Sequence, residues 1–387
     1  MTEPMIAVFS GGGTGGHLYP ALALASALGE RRPDVRPFFV GAERGLEARI
    51  LPERGLDHLL VPVEGLSRRS LFRNLRVLGL LARGIRQVAD RFKQLRPQIV
   101  VVTGGYAGGP AGIAAVLTRT RLVLQEQNSL PGLTTRVLSL FAREVHLAFP
   151  EAAEALPLGT RRKARFSGNP VREPVGTDRT TAAASLGLDP DRHTLLVTGG
   201  SQGSRALNRV VLDAVDKIVA GALKRSSDVQ LIWATGPAHL EEIETELGRI
   251  GWPSWVQAVG YLDDMPVALS VADLAVSRAG AMATSEFLAW GLPAILMPLP
   301  TAAANHQEMN AVALSEAGAA IHIAEAGASG ELLWEAIDRL LSDRASLARM
   351  SEAASKRGRA TAAREIAASL DRLLPLPAQR RQAGGAM

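Results

Sequence analysis

Three glycine-rich stretches are suited to holding phosphate: Gly11-Gly12-Gly13-Thr14-Gly15-Gly16, Gly104-Gly105-Tyr106-Ala107-Gly108-Gly109 and Gly199-Gly200-Ser201-Gln202-Gly203-Ser204. Lacking a Cβ, such a loop lets backbone N–H groups approach an anion closely. The helix start behind it adds roughly half a positive charge. A fourth stretch runs from Arg278-Ala279-Gly280 into Ala281-Met282-Ala283-Thr284-Ser285-Glu286. Its small residues leave a helix start open to a diphosphate. Glu286 falls one to two turns in, where a carboxylate can accept hydrogen bonds from a ribose diol. Phe287, Leu288 and Trp290 already supply that helix with an apolar face. His17 directly follows the first loop, and an imidazole exchanges protons near neutral pH. It either bonds the backbone to set the loop or takes part in chemistry.

These residues need elements to hold them. Met5–Ser10 reads as a short buried strand, followed by the first loop and by an Ala/Leu-rich helix over 18–28 with Pro20 in its first turn. The same opening recurs as a strand at His193–Thr198, the third loop and a helix from about Arg205. Further strands are expected at 37–40, 99–103, 122–125 and 145–148 in the first half. In the second half they are expected at 230–235, 256–260, 274–277, 294–298 and 320–323. Strands alternating with helices predict an α/β fold of two Rossmann-like, doubly wound parallel-sheet domains. The domains are read as 1–172 and 173–355. A C-terminal helix over 356–374 is expected to return to the first domain, and 375–387 reads as a flexible tail rich in Pro, Gln, Gly and Arg.

Composition bounds the function. A chain of 387 residues suits two domains. It has no cysteine, which excludes disulfides, thiolate zinc sites and cysteine nucleophiles. No uninterrupted apolar run is long enough for a membrane span, and Met1–Phe9 is too short and acidic for a secretory signal. Scarce aromatics argue against a stacking platform for nucleic acid. The charge is uneven: residues 65–97 hold nine Arg or Lys against the single acid Asp90. Such a patch suits phosphate or an anionic membrane surface.

The first loop also satisfies G-x-G-x-x-G through Gly11, Gly13 and Gly16, with Glu43 after the second strand. That keeps an NAD-binding dehydrogenase open as an alternative. His17 and Pro20 beside the loop, and the repeat of the architecture in the second half, weigh against it. A nucleotide-binding or membrane-adaptor protein without catalysis is a third class.

Eight segments, in order along nearly the whole chain, resemble the GT-B glycosyltransferases and, within them, the MurG family, which implies domains facing across a cleft, with 1–172 on the acceptor and membrane side and 173–355 on the nucleotide side. The segments are G-G-T-G-G-H (12–17), G-G-Y-A-G-G-P (104–110), E-Q-N (126–128), G-N-P-V-R (168–172), G-G-S-Q-G (199–203), Y-L-D-D-M (261–265), A-G-A-M-A-T-S-E (279–286) and H-Q-E-M-N-A (306–311). Each is modest, and the ordered set is specific. The resemblance implies transfer of N-acetylglucosamine from UDP-GlcNAc to the C4 hydroxyl of a lipid-linked muramoyl-pentapeptide (lipid I), with inversion, to give lipid II for peptidoglycan. A UDP-sugar epimerase or glycolipid synthase of the same fold is the nearest confusion. For the donor it implies Thr14, Gly15, Gly16 and Asn128 beside the sugar, Arg172 and Ser201 at the diphosphate, and the Leu262 backbone at uracil. It places Ala281, Met282, Ala283, Thr284, Ser285 and Glu286 over diphosphate and ribose, and Gln307 on sugar hydroxyls. Gly104, Gly105, Tyr106, Gly108 and Gly109 form an acceptor-side loop. Where family members often carry an acid shortly before the histidine–glutamine pair, this chain has Asn305.

The reaction needs a base for the attacking hydroxyl and stabilisation of departing UDP. His17 is the candidate base and Glu126 the weaker alternative. No metal or other cofactor is expected to be essential. Asp263-Asp264 lacks D-x-D spacing, and Asp263 reads instead as the N-cap of the next helix. In the basic segment, Leu71, Leu75, Leu78 and Leu81/Ala82 recur at helical spacing with Arg69, Arg73, Arg76, Arg83 and Arg86 interleaved. Leu71, Arg73, Leu75, Arg76 and Leu78 are therefore candidates for membrane contact; packing of the leucines into the first domain is the other reading. The expected partners are UDP-GlcNAc, the undecaprenyl-linked acceptor, an anionic membrane and other cell-wall synthesis proteins, with no nucleic acid. The expected place is peripheral, on the cytoplasmic face of the plasma membrane.

Overall fold

The structure is a computed structural model that describes residues 4–65, 71–225 and 228–376, the side chains of 71–74 excepted. The described chain divides into two compact units, one up to Val171 and again from Thr361, the other Arg172–Ala360.

The first unit runs β1 (Met5–Ser10), α1 (Gly15–Arg31), β2 (Val35–Ala42), α2 (Glu47–Glu53), β3 (His58–Val61), α3 (Leu71–Leu95), β4 (Ile99–Val102), α4 (Gly108–Leu117), β5 (Arg121–Glu126), α5 (Leu133–Ser139), β6 (Glu144–Leu147) and β7 (Ala164–Phe166). Its sheet has the order β3-β2-β1-β4-β5-β6-β7, and every pairing is parallel. Strands such as Ile99-Val100-Val101-Val102 are buried along their whole length. That is the sequence consequence of helices covering both faces.

The second unit runs α6 (Arg179–Ser185), β8 (His193–Thr198), α7 (Arg205–Val219), β9 (Val229–Ala234), α8 (Leu240–Arg249), β10 (Val256–Val259), α9 (Met265–Val271), β11 (Leu274–Ser277), α10 (Ala281–Ala289), β12 (Ala294–Leu296), α11 (His306–Glu316), β13 (Ala320–His322), α12 (Gly330–Ser342) and α13 (Arg344–Arg357). Its parallel sheet is ordered β10-β9-β8-β11-β12-β13. Trp233 fills its core, and the indole N–H donates to Asn208 Oδ1 at 3.1 Å, so the largest buried side chain leaves no polar atom unpaired.

The last helix, α14 (Ala362–Leu373), belongs to the first unit. Ile366, Ala367 and Leu370 pack into the cluster of Phe9, Leu24, Leu28 and Ile99. Asp371 pairs with Arg31 at 2.9 Å and Arg32 at 2.7 Å.

In both sheets the strand order reverses beside the first strand, between β1 and β4 and between β8 and β11. Ligands of such sheets bind outside the carboxyl ends of the strands at that reversal. The glycine loops sit there, after β1, β4 and β8, with the Arg278-Ala279-Gly280 turn after β11.

Two local expectations change. The helix after the first loop begins at Gly15, so Pro20 lies inside α1 and not in its first turn; it offers no N–H to the preceding turn. The cap of α9 falls on Asp264, not Asp263, and its side chain makes no capping bond.

Candidate functional site

In the first unit the loops after β1 and β4 interlock. Gly13 has φ +87°, and a Cβ there would lie 2.5 Å from the Tyr106 ring, so only glycine lets the second loop lie over the first. The Tyr106 hydroxyl donates to the Arg44 carbonyl at 3.1 Å. Burial raises its phenol pKa, and Glu47 and Glu64 add to that. The Glu47 carboxylate is fully buried on α2 and accepts from the N–H groups of Gly13 at 3.0 Å and Ala42 at 3.1 Å.

His17 stands in the first turn of α1. Its Nδ1 lies 3.0 Å from Thr14 Oγ1, and its carbonyl accepts from the buried Thr103 hydroxyl at 2.7 Å. Thr14, Gly15, Gly16, His17, Gly104, Gly105 and Tyr106 are thus brought to one end of one sheet. Gly108 and Gly109 open α4 behind them.

Glu126 is buried at the end of β5 with both carboxylate oxygens engaged. Oε1 accepts from the Asn128 backbone at 3.2 Å and its amide at 3.3 Å; Oε2 accepts from Gly132 N–H at 3.1 Å and from the Thr135 hydroxyl at 2.6 Å. A carboxylate so committed holds the turn that presents Asn128 and is poorly placed to take a proton.

The second unit ties its loops with a cation. Arg278 is 7% exposed. Its Nε donates to Ser204 Oγ at 2.8 Å, its Nη1 to the carbonyls of Met297 at 2.9 Å and Pro298 at 3.1 Å, and its Nη2 pairs with Glu325 at 2.5 Å. One guanidinium thereby joins the chain ends after β8, β11, β12 and β13. Ser204 also caps α7 through the Leu207 N–H at 3.3 Å, which keeps the exposed Ser201 loop at that helix start.

On α10, Thr284 is buried and donates back to the Gly280 carbonyl at 3.1 Å, and Ser285 is buried. Met282, Ala283 and Glu286 are half-buried and share the open face, three and four residues apart. Burial pushes the Glu286 carboxyl up to about 7, against the downward pull of Arg172. Arg172 is exposed and Leu262 buried in the turn after β10. The Gln307 side chain accepts from Leu299 N–H at 3.0 Å. Ala304 and Asn305 just before it have φ of +52° and +59°, left-handed values that fit asparagine better than alanine.

On α3, Val77, Val88 and Phe92 face the core, whereas Leu75 is 67% and Leu78 53% exposed, beside exposed Arg76, Arg83 and Arg86. The predicted leucine stripe therefore points away from the sheet at these positions. The side chains of Leu71 and Arg73, and all of Arg69, lie outside the described residues.

The motifs give no role to Glu47, Thr103, Gln127 or Arg278, which form the polar framework of the two sheet ends. Its signal is weak but present: a charged or amide residue at the carboxyl end of an apolar strand, or one just past it, cannot be buried without partners.

Two family models match. The glycosyltransferase family 28 N-terminal domain covers residues 7–147 and the C-terminal domain residues 194–366. A UDP-N-acetylglucosamine--N-acetylmuramyl-(pentapeptide) pyrophosphoryl-undecaprenol N-acetylglucosamine transferase of Desulfitobacterium hafniense is 41% identical over 367 residues, 94% of this chain and 97% of its own. The crystal structure of Acinetobacter baumannii MurG aligns with a TM-score of 0.74 at 25% identity, over 95% of this chain and 100% of that one. A UDP-N-acetylglucosamine 2-epimerase structure aligns with a TM-score of 0.59 at 15% identity, covering 95% of each chain, and shares the fold alone.

Proposed function

The chain belongs to the MurG family of glycosyltransferase family 28, and from that premise we propose how its residues divide the reaction. It is a UDP-GlcNAc-dependent transferase that moves N-acetylglucosamine onto lipid I to form lipid II, a step of peptidoglycan synthesis. The dehydrogenase and adaptor alternatives are set aside by that membership.

The donor is held by the second unit. Ser201 and the N–H groups of its loop take the diphosphate together with Arg172, which suits a guanidinium. The open face of α10 covers the nucleotide, Glu286 accepts from the ribose hydroxyls, the Leu262 backbone reads uracil and Gln307 binds sugar hydroxyls. Loop amides, helix starts and Arg172 neutralise the leaving diphosphate, with no metal required.

The first unit supplies Thr14, Gly15, Gly16 and Asn128 to the sugar, and the 104–109 loop to the acceptor's diphosphate. The acceptor C4 hydroxyl attacks the anomeric carbon as its bond to UDP breaks, and the electron pair leaves on the diphosphate. His17 takes the hydroxyl proton. The observation that carries this assignment is the contrast at one sheet end: Glu126 has four donors on its oxygens, whereas His17 is set by Thr14 and Thr103 at the loop itself.

The acceptor is lipid-linked, so the enzyme works at a membrane surface, peripherally and on the cytoplasmic face. No described helix is long and apolar enough to cross a membrane. The exposed Leu75 and Leu78 with their arginines support contact through α3, and Leu117, Leu133, Val137, Leu140 and Phe141 add exposed apolar surface on the same unit. The direct test is transfer of labelled GlcNAc from UDP-GlcNAc to lipid I in vesicles, with and without EDTA. Lipid II in both samples is expected; product only without EDTA would overturn the metal-free reading, and no product would overturn the acceptor.

A further inference from the structure

The loop after β2 carries a cation to which the motifs give no role. Arg44 lies two residues past the end of β2, and its side chain is 79% exposed. Its backbone is nevertheless fixed, because the Tyr106 hydroxyl donates to the Arg44 carbonyl at 3.1 Å. The Tyr106 ring is fixed in turn between two glycines. A Cβ on Gly13 would lie 2.5 Å from Tyr106 Cε1, and one on Gly65 would lie 3.5 Å from Cδ1. Burial, with Glu47 and Glu64 adding to it, raises the phenol above its ordinary pKa, so Tyr106 keeps the proton it donates through the neutral range.

The guanidinium is oriented by a second contact. Arg44 Nη1 lies 3.3 Å from Glu64 Oε1, on the residue beside Gly65. Arg76 of α3 approaches the same oxygen at 4.0 Å. The Glu64 carboxylate thus meets one cation from the loop after β2 and one from the helix whose Leu75 and Leu78 are exposed. An exposed ion pair of this kind adds little stability. What it does give is direction: with Nη1 on Glu64, the planar fork has further N–H groups to offer an anion. Exposed Glu43 precedes Arg44 in the chain, so the local charge is balanced and an aimed fork, not a positive patch, is what the loop presents.

The proposed function sets the acceptor's diphosphate at the 104–109 loop, and the inference rests on that reading. The acceptor is built in the order prenyl chain, diphosphate, muramoyl sugar. With the chain at the membrane beside α3 and the C4 hydroxyl at His17, the diphosphate falls between them. Arg44 stands in that interval, tied to the acceptor loop through Tyr106 and to α3 by way of Glu64.

We propose that Arg44 is a specificity-determining residue for the acceptor, its guanidinium donating hydrogen bonds to the diphosphate that joins the muramoyl sugar to the prenyl chain. A planar fork matches two phosphate oxygens at once, which a lysine ammonium does not. Tyr106 holds the fork beside the glycine loop, so backbone amides and guanidinium meet the same group. UDP is also a diphosphate, but it is held by the second unit, so Arg44 discriminates on the acceptor side alone.

The test is calorimetry on the full-length protein saturated with UDP, which fills the donor site. The two probes are lipid I with a short, water-soluble prenyl chain and its analogue with an uncharged linker in place of the diphosphate. In Arg44→Gln the Kd of the first is expected to rise about tenfold, the usual worth of a hydrogen bond to a charged group, and that of the analogue to stay unchanged. Arg44→Lys keeps the charge without the fork and should recover only part of the loss. Both variants retain the backbone carbonyl that Tyr106 uses, and an unchanged Tm checks that the loop is intact. An equal loss on both probes would make Arg44 merely structural and overturn the proposal. So would no loss on either, full recovery in Arg44→Lys, or a wild type that does not bind the first probe. A wild type that binds the first probe but forms no lipid II from UDP-GlcNAc sinks the functional reading alone, because the affinities are read without turnover.

Discussion

The two units share strand order, glycine loop and the sheet end they use, yet they tie their loops in opposite ways. The first uses groups of no net positive charge: the Glu47 carboxylate on Gly13 and the amide chain from Asn169 to Gln127. The second uses the buried Arg278 guanidinium, which ties its own strand end to three others and pairs with Glu325. An anionic leaving group gains from a positive field beside it, and a proton-accepting imidazole gains from acceptors beside it. On the proposed roles, the scaffold ties the diphosphate-binding half with a guanidinium–carboxylate pair and the proton-accepting half with carboxylate and amide groups.

The largest effect is expected at Arg278. Arg278→Ala strands Glu325 and frees four loops, so it is expected to destabilise the second unit by about 3–5 kcal/mol. Thermal unfolding with and without UDP should show the donor-linked rise in Tm disappear. Arg278→Lys recovers the charge but not the fork, and should restore stability only in part. An unaffected donor-linked rise in Arg278→Ala would mean that the cation does not organise the nucleotide site.

Glu286 sharpens the contrast by pH. Its folded carboxyl is raised from 4.5 to about 7 by burial. The sign follows: stability from the neutral form is complete below about pH 4.5 and is lost as pH climbs through about 7. On the proposed binding of ribose hydroxyls by the ionised Glu286, donor affinity should instead strengthen from pH 6 to 8, with a proton released on binding. Calorimetry in buffers of different ionisation enthalpy reads that proton. Glu286→Gln should remove both the release and the slope, and proton release persisting in that variant would assign it elsewhere.

The smallest effect belongs to α3. Reversing Arg76 and Arg83 to glutamate should weaken binding to vesicles containing anionic lipid by roughly 1 kcal/mol for each charge removed from the surface, leaving transfer to a detergent-solubilised acceptor unchanged. Binding indifferent to those reversals would detach the basic helix from the membrane.

Much of this was legible in the letters. Strands such as His193–Thr198 and Leu274–Ser277 each carry a short apolar stretch, Leu195-Leu196-Val197 and Leu274-Ala275-Val276, closed by a hydroxyl residue and a loop, and the structure places them at those residues. β3 and β7 escaped because His58-Leu59-Leu60-Val61 lies at a sheet edge among helix-compatible leucines and Ala164-Arg165-Phe166 is three residues long. The leucine stripe of α3 was visible, but its direction was not: periodicity marks a face without saying which of two faces meets the sheet. Gly13, His17 and Glu286 announced themselves by type and spacing. Gln127 and Arg278 did not, because their partners come from strands distant in sequence, and only the fold makes them neighbours.

One paired measurement on His17→Ala tests the division of labour between the units. Donor affinity by calorimetry is set against the single-turnover rate of GlcNAc transfer to lipid I. Unchanged affinity for UDP-GlcNAc is expected, with a transfer rate lower by about 10²–10⁴-fold, the usual worth of a positioned base. Near-full transfer in that variant would contradict it, and so would a loss of donor affinity large enough to explain the slower rate.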